Sequence, residues 1–146
     1  MISCIAYHGT DKKFEQFNCP AYFSGNRMTA EFFAKRADEN SYIFQCRLNF
    51  EKPLVVDLND QSWGGFFLHD EKLQMATTEY AADGDPEELE YFKEEGLTVN
   101  FLAEYAKSEG YDGLVLYNCL EEDGCSGTQF VVFSPENITI EKITSV

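Results

Sequence analysis

Basic residues are scarce in this chain: 11 lysines and arginines stand against 26 aspartates and glutamates, a formal net charge of −15 at pH 7. Nucleic-acid backbones are held by surplus Lys and Arg, so direct nucleic-acid binding is not expected. Paired cysteines are missing as well. Cys4, Cys19, Cys46, Cys119 and Cys125 are odd in number and scattered, with no CxxC and no histidine partner at zinc spacing. That excludes a disulfide framework and a recognisable zinc site, and we read them as reduced thiols of a cytoplasmic protein. Residues 1–8 lack the charged n-region and long apolar h-region of a signal peptide, and no stretch approaches the ~18 apolar residues of a membrane span. No membrane partner is expected. Neither GxGxxG nor GxxxxGK[ST] occurs, which counts against the usual nucleotide folds. There is no internal repeat and no low-complexity tract.

What is present suits one domain over residues 1–146. The 44% hydrophobic content fits a folded globule, and a chain of this length buries roughly two-thirds of its unfolded surface. The charge is uneven. Residues 1–36 carry five bases (Lys12, Lys13, Arg27, Lys35, Arg36) against Asp11, Glu15 and Glu31, or 5 − 3 = +2; the other 110 residues carry 6 bases and 23 acids, or −17. A locally basic quarter in an acidic protein suits a small anion, although short segments also fluctuate in charge.

Apolar patterning predicts a strand over residues 3–7, a short strand AYFS over 21–24, and a helix over 28–37 that buries Met28, Ala30, Phe32, Phe33, Ala34 and Ala37. Residues 42–50 alternate nearer period 2 than 3.6 and form a strand, joined through Lys52-Pro53 to LVVDL. Residues 59–95 are acidic and poorly patterned, an insertion or lid with a helix start at Asp85-Pro86. Leu97, Phe101, Leu102 and Tyr105 share one helical face, and Gly110 suits the C-terminal cap. YDGLVLYN, the polar loop CLEEDGCSG, TQFVVF and ITIEKI complete the chain. Strands outnumber helices, and the helices fall mainly between strand groups. An α+β fold is therefore favoured over a doubly wound parallel sheet.

Three pieces bring polar chemistry to this frame. His8, Gly9 and Thr10 place an imidazole, an approachable backbone and a hydroxyl within three positions at a strand end, a trio that can hold a small polar ligand. AYFS precedes a helix with two adjacent phenylalanines. TQFVVFSP lies near the C-terminus. Taken singly, each has a plainer reading: His8 as a satisfied structural histidine, Tyr22 and the Phe32/Phe33 pair as core, Gln129 as the solvent face of an alternating strand.

Together and in this order, YHGT, AYFS and TQFVVFSP resemble the ADP-ribosyltransferase superfamily, specifically its diphtheria-toxin-like and PARP-like branch with a His-Tyr-Glu triad. The resemblance spans both ends of the chain, while residues 50–110 carry little family signature. It implies a split β-sheet core with flanking helices and NAD as co-substrate. It assigns His8 to the adenosine-side ribose, the Gly9 backbone to the nicotinamide amide, and Tyr22 and Phe33 to stacking on the nicotinamide ring. Thr10, Ser24 and Arg27 complete the implied NAD-binding set. Ala30 stands where PARP-like members often have a serine that bonds the amide oxygen, so that contact is absent. Gln129 stands at the triad's glutamate.

An NAD pocket must hold an amide by hydrogen bonds, sandwich a cationic ring between aromatic faces, and stabilise positive charge that develops on the ribose as nicotinamide leaves. A carboxylate on the ribose 2′-hydroxyl does this best, because charge-assisted bonds are roughly twice as strong as neutral ones. Gln129 can orient that hydroxyl but carries no charge and cannot act as a general base. The implied chemistry is slower, mono- rather than poly-ADP-ribosylation of a protein, with the acceptor supplying its own nucleophile. The arginine-modifying branch has an acid or glutamine two positions before its catalytic glutamate; Gly127 stands there, so arginine is not the favoured acceptor. Glu121, Glu122 and Asp123 in the loop before Gln129 suit a basic target surface, and equally an ordinary solvated hairpin. SWGGFF, with Trp63, either floors the pocket or caps the core. Size and charge resemble those of a bacterial or phage effector, similar in scale to ADP-ribosylating anti-CRISPR proteins. Two alternatives stay open: an NAD glycohydrolase, and an inactive acidic binding module that mimics nucleic acid.

Overall fold

Along β1 (Ile2–Thr10) the side chains alternate across the sheet. Cys4, Ala6 and His8 turn toward a cluster of aromatic residues, and Tyr7 and Gly9 turn toward the first helix. The computed structural model describes residues 2–34, 41–121 and 123–145. Lys35, Arg36 and Ala37, in the expected basic quarter and helix end, and Glu122 of the acidic loop lie outside them.

The remaining strands are β2 (Ala21–Ser24), β3 (Tyr42–Phe50), β4 (Pro53–Asp57), β5 (Gly113–Leu120), β6 (Ser126–Val132) and β7 (Ile138–Ser145). They form one mixed sheet in the order β4-β5-β6-β2-β1-β3-β7. β4 and β5 run parallel and the other neighbours antiparallel. β1 pairs with β3 over nine residues, but with β2 only at Tyr7↔Ser24. The sheet is therefore nearly split at the β2–β1 seam, as expected for an α+β fold of this class.

Each face of the sheet has its own core. On one face, Ala6, Phe17, Phe23, Phe44, Phe50 and Phe130 are buried together, joined by Val115 of β5 and Val132 of β6. On the other side α2 (Glu71–Ala82), α3 (Pro86–Glu95) and α4 (Val99–Ser108) cover β4–β5–β6, burying Leu54, Val56, Leu102, Leu114, Leu116 and Val131. Residues 59–95 contribute Phe66, Leu68, Ala82 and Phe92 to this core. α3 begins as its sequence predicts: Asp85 accepts from the Glu87 amide, and Pro86 occupies the first turn, where no amide is needed. α2 has no apolar stripe to betray it. Its buried face carries Thr77 and Thr78, whose hydroxyls donate to the Leu73 and Gln74 carbonyls within the helix.

α1 (Arg27–Ala34) departs from the expected burial. Thr29, Ala30 and Ala34 face inward, whereas Met28 is 71% exposed and Phe32 points outward one turn away. Small residues face the sheet because the helix lies directly on Gly9. A Cβ there would come within 2.0 Å of the Ala30 carbonyl oxygen and 3.0 Å of the Ala34 nitrogen.

Candidate active site

Where β1 and β2 stop pairing, Tyr7, Ser24, Gln129 and Leu116 lie in register across β1, β2, β6 and β5. A cavity of about 480 Å³ opens at this level, within the usual size range of small-molecule sites. His8, Gly9, Tyr22, Ser24, Phe33 and Gln129 all line it. Thr10 and Arg27 do not: the Thr10 hydroxyl accepts from the Lys12 amide in the turn after β1, and Arg27 Nε pairs with Glu31 on α1 at 3.2 Å.

His8 bridges the seam. Its Nδ1 lies 2.7 Å from the Tyr22 carbonyl oxygen, which only accepts, so Nδ1 carries the proton and donates. The ring sits edge-on to Phe17 and tilted on Phe23, with centroids 5.1 and 5.7 Å away. This burial lowers the His8 pKa below its ordinary 6.5, against the opposing pull of the Tyr22 bond. Neutral His8 then offers Nε2 as a hydrogen-bond acceptor, the chemistry a ribose hydroxyl requires.

The Tyr22 side chain, on the opposite side of β2 from buried Phe23, is 41% exposed. Its hydroxyl donates to Asn100 Oδ1 on α4 at 2.8 Å, and partial burial raises the phenol pKa, keeping that donor protonated. This contact stands between the main cavity and a second one of about 340 Å³, where Glu104 and Lys107 of α4 meet Pro20 and Phe133. Ser24 Oγ accepts from the Asn26 amide, and Asn26 Oδ1 accepts from Met28 N, which caps α1 and fixes the turn that delivers Phe33 to the wall. Gly9 backbone faces the cavity, but its lack of a side chain is also demanded by α1.

The SWGGFF segment does both things open to it: Trp63 lines the cavity, 40% exposed, while Phe66 is fully buried in the core. Backbone bonds between Phe66 and Leu97, and from Val99 N to the Trp63 carbonyl, tie this segment to the start of α4. Val99 and Asn100 thereby reach the cavity. Sequence reasoning misses Tyr7, Phe23, Val99 and Asn100; the one available signal was a polar Asn beside the apolar face of a clear helix.

The acidic loop turns inward at two of its described positions. Glu121 is 3% exposed and accepts from Gln129 Nε2 at 2.5 Å, and Asp123 accepts from the buried Thr29 hydroxyl of α1 at 2.9 Å. Burial pushes the Cys46 and Cys119 thiols up to about 12, so neither is a thiolate nucleophile. Among the described residues no group of His, Cys, Asp and Glu is arranged to hold a metal ion, and no helix is long and apolar enough to cross a membrane.

No curated protein and no solved structure matches the chain. A family model of ADP-ribosyltransferases in polyvalent proteins matches residues 3–141, a span that includes every residue lining the seam cavity. This chain belongs to that family of ADP-ribosyltransferases.

Proposed function

We propose that the chain is an NAD-dependent mono-ADP-ribosyltransferase that modifies a protein from the seam cavity. The observation that carries this reading is the convergence of Tyr22, Phe33 and Trp63 on one cavity that also holds His8 and Gln129. Aromatic faces suit a cationic nicotinamide ring, and the His8 acceptor suits a ribose hydroxyl. Among the described lining residues none is Lys or Arg, so the cavity offers the diphosphate no cationic partner and recognition rests on the ring and the ribose hydroxyls. NAD supplies the ADP-ribosyl group and releases nicotinamide. In this reading the Gly9 backbone grips the carboxamide, Tyr22 and Phe33 stack on the ring, His8 holds the adenosine-side ribose, and Gln129 orients the nicotinamide-side ribose hydroxyl.

An uncharged Gln129 cannot deprotonate an acceptor, which favours single transfer over chain extension. The net charge of −15 favours a target with a basic surface. A small acidic chain of this kind fits an effector that modifies one partner of another cell or genome. The test is incubation with labelled NAD and a cell lysate, with Tyr22→Ala as control. A discrete labelled protein, lost with Tyr22→Ala and His8→Ala while both variants stay folded, supports the reading. Nicotinamide release without label makes the chain a glycohydrolase. Neither signal overturns enzymatic function in favour of an acidic binding module.

A further inference from the structure

β5 carries an irregularity beside the cavity. Leu116 lies opposite Gln129 and Cys119 opposite Gly127, so three steps along β5 match two along β6. Such a bulge bends its strand and re-aims the side chains that follow. Asn118, inside it, adopts φ +50° and is held by both Asp57 carboxylate oxygens at 3.1 Å. Just past the strand end, Glu121 N donates to Cys125 O and Glu121 O accepts from Gly124 N, closing the loop on itself. These backbone bonds anchor the loop at the residue whose buried carboxylate receives the Gln129 amide nitrogen.

We infer that Glu121 is a positioning residue for the reaction: it holds the Gln129 amide with its nitrogen inward and polarises it, so that Gln129 and Glu121 together serve as one carboxylate facing the cavity. The contact runs from Gln129 Nε2 to a Glu121 carboxylate oxygen, so Oε1 is the end of the amide left for the cavity. A hydrogen bond from N–H to an anion shifts electron density onto the carbonyl oxygen of the same amide, strengthening Oε1 as an acceptor. The negative charge that Gln129 lacks is supplied from behind it. This inference rests on the NAD reading above, in which Oε1 receives a ribose hydroxyl.

Three variants separate positioning from mere packing: Glu121→Gln, Gln129→Glu, and the exchange carrying both. Glu121→Gln keeps the shape and an acceptor oxygen but removes the charge. Nicotinamide release from NAD, measured with cell lysate as acceptor, should fall about tenfold in kcat with KM for NAD within about twofold. Gln129→Glu alone sets two carboxylates against each other. The exchange restores an amide-to-carboxylate bond with the carboxylate now facing the cavity, and it should recover kcat to at least the wild-type level. Unchanged kcat in Glu121→Gln, or an exchange no faster than Glu121→Gln, overturns the inference.

A readout independent of turnover separates this from failure of the NAD reading. In wild-type protein the Gln129 side-chain amide protons should resonate downfield of free glutamine and shift back in Glu121→Gln. A Gln129 amide at the free position in the wild type overturns the contact itself, whatever the enzyme does with NAD.

Discussion

Replacing Gly9 with alanine adds one methyl group at the tightest approach in the site. The new carbon would lie 2.0 Å from the Ala30 carbonyl oxygen, 2.9 Å from its carbon and 3.0 Å from the Ala34 nitrogen. All three are main-chain atoms of α1, so no rotamer change relieves the contact and the helix must move off the strand. Overpacking of this kind costs typically about 1–3 kcal/mol, and a clash with backbone belongs at the upper end. For a chain of this length roughly 3 kcal/mol corresponds to a fall in Tm of about 6–12 °C. The sign is diagnostic, because glycine inside a strand is otherwise worse than alanine by roughly 0.5–1 kcal/mol. Circular dichroism melts of wild type and Gly9→Ala measure the change directly. Adding Ala30→Gly should not rescue the variant, since the clash is with the Ala30 main chain and not its methyl. Because α1 carries Ala30 and Phe33 into the cavity wall, NAD affinity should fall with stability. A Gly9→Ala protein as stable as wild type, or one rescued by Ala30→Gly, refutes the packing argument.

Other consequences follow from the same geometry. The His8 pKa is lowered on folding, so below about pH 6.5 the unfolded chain binds a proton that the folded one resists; stability is lost as pH falls from about 6.5 toward the folded value, and His8→Gln should flatten the pH dependence of chemical denaturation in that window. Asn100→Ala removes the acceptor of the Tyr22 hydroxyl and should cost about 1 kcal/mol or less at this half-open position, read as a small Tm shift with a raised KM for NAD. Leu102 is fully buried on the inner face of α4, and Leu102→Ala should cost about 2–5 kcal/mol in urea denaturation, with an unchanged midpoint counting against the assigned core.

Much of the framework was legible because it rests on local pattern. The alternation in YIFQCRLNF appears as β3, and Phe101, Leu102 and Tyr105 of the expected apolar face lie on α4, with Gly110 at φ +87° just past its end, whereas Leu97 precedes the helix and bridges to Phe66. The HGT, AYFS and TQFVVF pieces are brought to one seam by sheet order, which no local pattern reveals. What stayed hidden depends on tertiary packing. Met28 and Phe32 read as core by composition, yet α1 lies so close to Gly9 that only small side chains fit beneath it. Thr77 and Thr78 are buried because their hydroxyls bond within α2, so burial there follows no apolar period. Asn100 reaches Tyr22 across 78 residues. Glu121 reads in sequence as one of three acids of a loop, yet it is buried and accepts from Gln129.

Trp63 is the only tryptophan in the chain, and it lines the seam cavity. Its fluorescence is therefore a single-site report on whatever occupies that cavity. Titration with NAD should give a saturable quench in the wild type that is weakened or lost in Tyr22→Ala. Trp63 emission that does not respond to NAD, in a protein that nevertheless transfers ADP-ribose, would contradict the assignment of the seam as the active site.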